Sequence, residues 1–187
     1  MNYLFKFIPI VLILSLSVFL TNCSSVRLTK DASSNKKRTH KSRRSSQVTK
    51  PAKTVLTEDH SLRENIIKSA MRYKGIHYVY GGKTPSGFDC SGFTSHVFKE
   101  NGVSLTGASR QQATVGKAKP LQKAEPGDLV FFKNKGKVTH VSIVVEKADD
   151  KLWVVHSTSS RGVVKDEILH SSYWKPKIAG VRDIIQR

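Results

Sequence analysis

Apolar and polar positions divide the chain into three stretches. Phe7 to Leu20 is an apolar run interrupted only by Pro9, Ser15 and Ser17. Residues 24–57 hold almost no large apolar side chain, and no helical or strand period can be drawn through them. From Glu58 onward, periodic patterns return. Ser61-Leu62-Arg63-Glu64 has the form of a capping box, and Leu62, Ile66, Ile67, Ala70 and Met71 follow as one helical stripe. Tyr78 to Gly82 and Thr84 to Gly87 read as a loop with turn chemistry. Asp89 is placed to cap a second helix over 90–99 that buries Phe93, Val97 and Phe98 and stops at Asn101-Gly102. A short third helix is expected over 109–115. Strands are expected over 129–132, 138–146, 152–156 and 178–185, the middle two joined around Ala148-Asp149-Asp150 as a hairpin. Helices first and an antiparallel sheet afterwards predict an α+β domain.

The apolar run of Phe7 to Leu20 is short for a bilayer-spanning helix, which needs about 20 residues, but suits the core of an export signal. Behind it, Leu20-Thr21-Asn22-Cys23 resembles the lipobox of bacterial lipoproteins, with Asn22 a departure from the small residue usual there. That resemblance implies a signal peptide over 1–22 and a lipidated Cys23. Residues 23–57 then form a linker, which cannot bury enough apolar surface to offset its ordering entropy and is expected to be disordered. The folded domain is expected over 58–187.

Charge changes the picture only through its placement. The chain has 187 residues, with 32 Lys+Arg against 14 Asp+Glu, a net charge of +18. Half of that charge lies in residues 24–57, where ten basic side chains meet one acid. A nucleic-acid binder is the first reading of such a charge, but no recognised binding motif accompanies the basic run, and an export signal precedes it. Two cysteines exclude a disulfide-dense scaffold and a four-cysteine zinc site.

With Cys23 taken by lipid, Cys90 has no partner cysteine. Gly87-Phe88-Asp89-Cys90-Ser91-Gly92 puts it in the first turn of a helix, where N–H groups and the macrodipole favour a thiolate and could receive an oxyanion. Gly87 and Gly92 are small enough for a substrate backbone to approach. A nucleophile and a packed core cysteine both fit this setting. His40, His60, His77, His96 and His170 lie in the linker, at a helix entry, before the tyrosine loop, on another helix face and in a polar loop. His140 and His156 lie on the hairpin strands. A three-residue loop would make them diagonal neighbours on one face, whereas a two-residue turn would split them unless a bulge intervened.

Tyr78-Val79-Tyr80-Gly81-Gly82, Phe88-Asp89-Cys90-Ser91-Gly92-Phe93, Pro126 to Phe132, Thr139-His140-Val141-Ser142-Ile143 and Val155-His156-Ser157 occur in that order. Together they resemble the NlpC-type family of papain-like cell-wall peptidases. The run Ser157 to Val163, followed by Tyr173-Trp174, looks most like the compact murein endopeptidase lipoproteins within it. The resemblance implies a papain-like core with Cys90 as nucleophile, His140 as general base and His156 as the polar residue that orients the base. It gives Tyr78 an oxyanion role and Asp89 and Ser91 substrate contacts, each beside a structural alternative. Arg161 is a candidate for a substrate carboxylate.

The implied reaction is hydrolysis of an amide in a peptidoglycan stem peptide without metal or cofactor, the D-alanyl crosslink slightly ahead of the γ-D-glutamyl bond. Implied partners are peptidoglycan, a membrane through the lipid anchor, and an adaptor protein as a further candidate. No nucleic acid is expected, and the protein is expected to be monomeric. Its place is the bacterial cell envelope, facing the periplasm from the outer membrane. Two alternatives stay open: an inactive wall-binding lipoprotein, and a zinc amidase using Cys90, His140 and His156.

Overall fold

The computed structural model describes residues 52–185. The expected export signal, the lipobox-like motif with Cys23, and the expected linker as far as residue 51 lie outside the described residues. Among those described, no helix is long and apolar enough to cross a membrane.

The first helix, α1, spans Ala52–Arg72 and so begins nine residues before the predicted capping box. Ser61 does not cap it. Its Oγ donates to the Glu58 carbonyl at 2.9 Å, the back-bond of a hydroxyl in mid-helix. Pro51 precedes the helix and neither Gly nor Pro interrupts it, so the chain has no reason to stop being helical upstream of Ser61. Helix α1 thereby takes in residues 52–57, which the composition assigns to the linker.

A minimal hairpin follows, β1 (Lys83–Thr84) with β2 (Gly87–Phe88), and leads directly into α2 (Cys90–Glu100). Phe93, Val97 and Phe98 are fully buried on α2, as predicted. The third helix, α3, is shorter than expected, Ser109–Gln112. The rest is one six-stranded antiparallel sheet made of β3 (Lys117–Lys119), β4 (Leu129–Asn134), β5 (Lys137–Ala148), β6 (Lys151–Thr158), β7 (Gly162–Glu167) and β8 (Ile178–Asp183), in the order β3-β8-β4-β5-β6-β7. Strands β3 and β7 have no counterpart in the predicted elements. The first is too short, and the second, GVVKDE, too polar to read as buried sheet.

Side chains alternate along the strands and divide the core into two layers. Leu129, Phe131, Val141, Ile143 and Val155 face the helices, where they meet Ile66, Phe88, Phe93 and Phe98. Val130, Phe132, Val144, Val154 and Ile168 form a second cluster on the opposite face, against which Trp174 packs. Strand β4 is buried on both faces, which explains its unbroken Leu-Val-Phe-Phe run.

The β5–β6 hairpin settles the register. Ala148 pairs with Lys151, so the turn is the two-residue Asp149-Asp150, with Asp149 at φ 48. Farther along, Glu146 pairs with Trp153 and Val144 with Val154, which leaves Val145 as a bulge. Beyond it Ile143 pairs with Val155. The extra residue cancels the offset of the short turn and sets His156 diagonal to His140 on one face.

Helix α1 is fastened to one end of the sheet by charge. Arg63 donates to Asp128 at 2.9 Å, to Asp183 at 2.6 Å and to the Pro126 carbonyl at 3.0 Å. Lys119 lies 2.9 Å from Asp128 and 2.6 Å from Glu125. Both aspartates are buried, so removing one of these partners would leave an uncompensated polar group in the interior. Among the described residues, Glu125, Asp128 and Asp183 form the one acidic group close enough to share a cation, and Arg63 and Lys119 already supply positive charge there.

Candidate active site

Asp89 caps α2 in the manner predicted. Its Oδ1 accepts from the Gly92 N–H at 2.6 Å and from Ser91 Oγ at 3.0 Å, while Oδ2 accepts from the Gly81 N–H at 3.1 Å. One carboxylate thus orders both the first turn of the cysteine helix and the tyrosine loop. The loop also lies on the helix through Gly92, where an added Cβ would stand 1.9 Å from the Gly82 carbonyl oxygen. This corrects the reading of Gly92 as room for substrate: the protein's own backbone fills the space. Gly87, at φ 149, is confined by the Val79 side chain.

Ser157 Oγ donates to the Phe88 carbonyl at 2.7 Å, which ties β6 to the segment just before the cysteine. Cys90 carries a free thiol in an open cavity of about 640 Å³ whose wall also includes Tyr78, His140, Arg161, Asp166 and Trp174. Its Sγ lies 4.0 Å from the Thr139 carbonyl oxygen, at the residue preceding His140. Of the predicted residues, Cys90, His140, Tyr78 and Arg161 therefore share one cavity. Asp89 and Ser91 do not line it; they are engaged in the cap.

The thiol is pushed above its ordinary value, first by burial and then by the negative charge of Asp89. Backbone N–H groups of Val141, Ser91 and Cys90 pull the other way and do not prevail. The helix N-terminus alone does not make a resting thiolate here. Burial, and after it the neighbouring Cys90 and Asp89, likewise raises the Tyr78 hydroxyl, which keeps it protonated as a donor.

His140 Nε2 lies 3.0 Å from His156 Nδ1, so Nδ1 is the His140 nitrogen left for Cys90. Burial, and then the neighbouring His156, lowers His140 from 6.5 to about 3. It is a neutral imidazole at any physiological pH and can accept a proton. His156 has no exposed surface, and its Nε2 lies 3.1 Å from Asp166 Oδ2. Burial lowers His156 too, against the pull of Asp166 in the opposite direction.

Asp166 was not among the predicted residues. It lies on β7, the strand the apolar pattern failed to show, and only the exact register of β6 with β7 brings it to His156. Arg161 Nη1 donates to its Oδ1 at 3.0 Å, Arg161 Nη2 to its Oδ2, and Trp174 Nε1 to Oδ2 at 3.3 Å. Arg161, proposed from sequence as a contact for a substrate carboxylate, is bound to a carboxylate of its own chain. Trp174 stacks on His140 with ring centroids 5.0 Å apart and planes at 22°, and it also touches the His156 ring.

Cys90, His140 and His156 do not make an open ligand set, because His140 Nε2 and both nitrogens of His156 are held in the hydrogen-bonded row. The arrangement suits acyl transfer: a thiol at a helix N-terminus, a neutral imidazole beside it, and a second imidazole fixing the first.

Comparison with known proteins agrees with this geometry. A protein of Bacillus subtilis named gamma-DL-glutamyl hydrolase is 34% identical over 137 residues, covering 71% of this chain but 32% of its own length. The chain thus spans about a third of that relative. The Escherichia coli protein named murein DD-endopeptidase MepS/murein LD-carboxypeptidase is 26% identical, with 100% of this chain and 96% of its own covered. Among solved structures, an NlpC/P60 family protein from Bacillus cereus superposes with a TM-score of 0.60 at 29% identity, over 66% of this chain and 40% of that one. The sequence pattern of the NlpC/P60 family itself matches residues 75–183, well over half of the chain. The papain-like α+β fold predicted from the motifs is the fold observed, and this chain belongs to the NlpC/P60 family.

Proposed function

We propose that this chain is a cysteine peptidase that hydrolyses an amide bond in the stem peptides of peptidoglycan, with Cys90 as nucleophile, His140 as base and His156 as the residue that orients the base. The observation that carries this reading is the 3.0 Å contact of His140 Nε2 with His156 Nδ1 in a cavity shared with Cys90. The thiol rests protonated and the imidazole neutral, so His140 takes the proton from Sγ as the sulfur attacks the carbonyl carbon. The oxyanion is received by the Cys90 N–H and the Tyr78 hydroxyl. His140 then protonates the leaving amine as the C–N bond breaks, leaving a thioester. Water, giving its proton to His140, displaces the sulfur and restores the thiol.

The crosslink between stems, ending in D-alanine, is the favoured bond, because the relative aligned along nearly its whole length bears the name of a murein DD-endopeptidase. The γ-D-glutamyl bond is the second reading, supported by the more identical Bacillus hydrolase over part of the chain. Export, lipidation at Cys23 and a place at the envelope membrane belong to the same proposal and rest on the Leu20 to Cys23 motif. Purified sacculi incubated with residues 52–187 should release soluble muropeptides whose masses identify the bond cut. Cys90→Ala should release none while keeping its melting temperature; undiminished release by that variant overturns the assignment.

A further inference from the structure

Behind the proposed triad the chain of contacts does not stop at His156. It runs on to a carboxylate whose donors are all accounted for. Oδ2 of Asp166 is the point of convergence for His156 Nε2, Arg161 Nη2 and Trp174 Nε1, and Oδ1 takes Arg161 Nη1. A carboxylate facing this many donors has no proton to give. The proton of the His156–Asp166 contact therefore sits on His156 Nε2. A neutral His156 with Nε2 protonated has a bare Nδ1, which can only accept. The proton of the contact between the rings then belongs to His140 Nε2, and His140 Nδ1 is left bare. Reversing any one of these bonds would protonate Nδ1 and leave Cys90 with no base.

We propose that Asp166 is a positioning residue of this site, which fixes through His156 the tautomer of His140 that can accept the Cys90 proton. The inference rests on the roles given above to Cys90 and His140. Asp166 touches neither substrate nor sulfur; it acts through two rings. The hydrogen bond from His156, and after it the Arg161 guanidinium, hold its carboxyl well below the usual carboxylate range against the effect of burial. Arg161 is thus the clamp on Asp166, and Trp174 covers the row from the side. The charged groups bonded into the row are Asp166 from β7 and Arg161 from the turn before β7, and Cys90, Tyr78, Lys133, Glu167, Tyr173 and Lys177 share the cavity wall.

The same accounting predicts how substitutions differ. In Asp166→Ala the last acceptor is gone and His156 is free to take either tautomer. In Asp166→Asn the side-chain oxygen keeps the Oδ2 position, where three donors converge, and turns its NH₂ toward Arg161 Nη1 alone. Asn should therefore preserve the order of protons that Ala destroys.

The test reads the protons directly, by imidazole ¹⁵N NMR on the resting protein at pH 7.5. Wild type should show His140 and His156 both protonated at Nε2. Asp166→Ala should show mixed tautomers at His140, and Asp166→Asn the wild-type pattern. With sacculi as substrate, kcat should fall by about 10²-fold in the Ala variant with KM moved by less than about twofold, and Asn should recover at least about tenfold of the loss. A wild-type His140 protonated at Nδ1 overturns the proposal without any variant having to fold. So does an Ala variant that loses activity with its tautomers unchanged, or one with kcat within about threefold of wild type. The NMR reading needs no substrate, so failure of wild type to cut sacculi would sink the proposed function and leave the tautomer result standing.

Discussion

Trp174 shows how much one side chain can do beside a buried base. It lies flat against His140, touches His156 and donates from Nε1 to Asp166, so it dries the row and helps to orient its far end. Desolvation is the first cause of the depression of His140 to about 3, with the neighbouring His156 second. Removing the indole in Trp174→Ala admits water and should raise the His140 value toward 6.5. Two outcomes follow from that sign. In wild type the acid limb of kcat/KM lies well below 6.5, because the base stays unprotonated until the pH approaches its folded value. In Trp174→Ala the limb moves up toward 6.5, so kcat/KM at pH 5.5 falls by roughly tenfold while protonation at pH 7.5 costs less than about twofold. Trp174→Phe keeps the stacked face but loses the N–H donor, and should sit between the two. A pH–rate profile of the three proteins checks the order; a wild-type limb at 6–7 would mean that His140 is solvated in solution.

At the scale of elements, the site depends on close approaches that the sequence shows only as small residues. Gly92→Ala would drive a methyl group against the Gly82 carbonyl, a backbone atom that cannot swing away. The tyrosine loop must shift or α2 must open, costing about 1–3 kcal/mol by denaturant titration, with activity lost in proportion as Tyr78 leaves the cavity. Arg63→Ala acts at the other end of the sheet. It strips Asp128 and Asp183 of their shared guanidinium and leaves Lys119 as the cation between them, so about 3 kcal/mol of stability should go. Activity of the remaining folded protein should be unaffected, since the network does not touch the cavity. These cases mark what is legible in a sequence. The cap at Asp89, the buried face of α2 and the place of Cys90 in its first turn were legible because each is a local pattern of residue types. The bulge at Val145 was not, because nothing in Ile-Val-Val-Glu distinguishes the residue that will be left unpaired. Asp166 was missed for a related reason: a half-polar strand at the sheet edge gives no alternation, and its meaning comes from a register set elsewhere.

Across the whole molecule, burial of neutral histidines ties stability to pH. His140 and His156 both have folded values below the ordinary one, with burial as the first cause in each. The unfolded chain protonates these rings near 6.5, while the folded chain does not protonate His140 until about 3. Between those values the unfolded state binds more protons, so stability is greatest above the unfolded value and declines as pH falls. His140, neutral down to about 3, contributes a slope of about 1.4 kcal/mol per pH unit below the unfolded value, and His156 adds to it in the same direction. The acidic groups act in the same direction at lower pH. Asp166, Glu125 and Glu167 are all held below their ordinary values and lose their contribution as they are protonated. Denaturant unfolding of residues 52–187 at pH 7.5, 6.0 and 5.0 should therefore show a steady fall beginning below about 6.5. His140→Gln removes one of the two rings and should make the slope between pH 6 and 5 shallower by about 1.4 kcal/mol per pH unit, whatever it does to stability at pH 7.5. A wild-type curve that stays flat down to pH 5 would mean that the rings accept protons in the folded state. The histidine row would then be open to water, and the neutral base on which the mechanism depends would be lost with it.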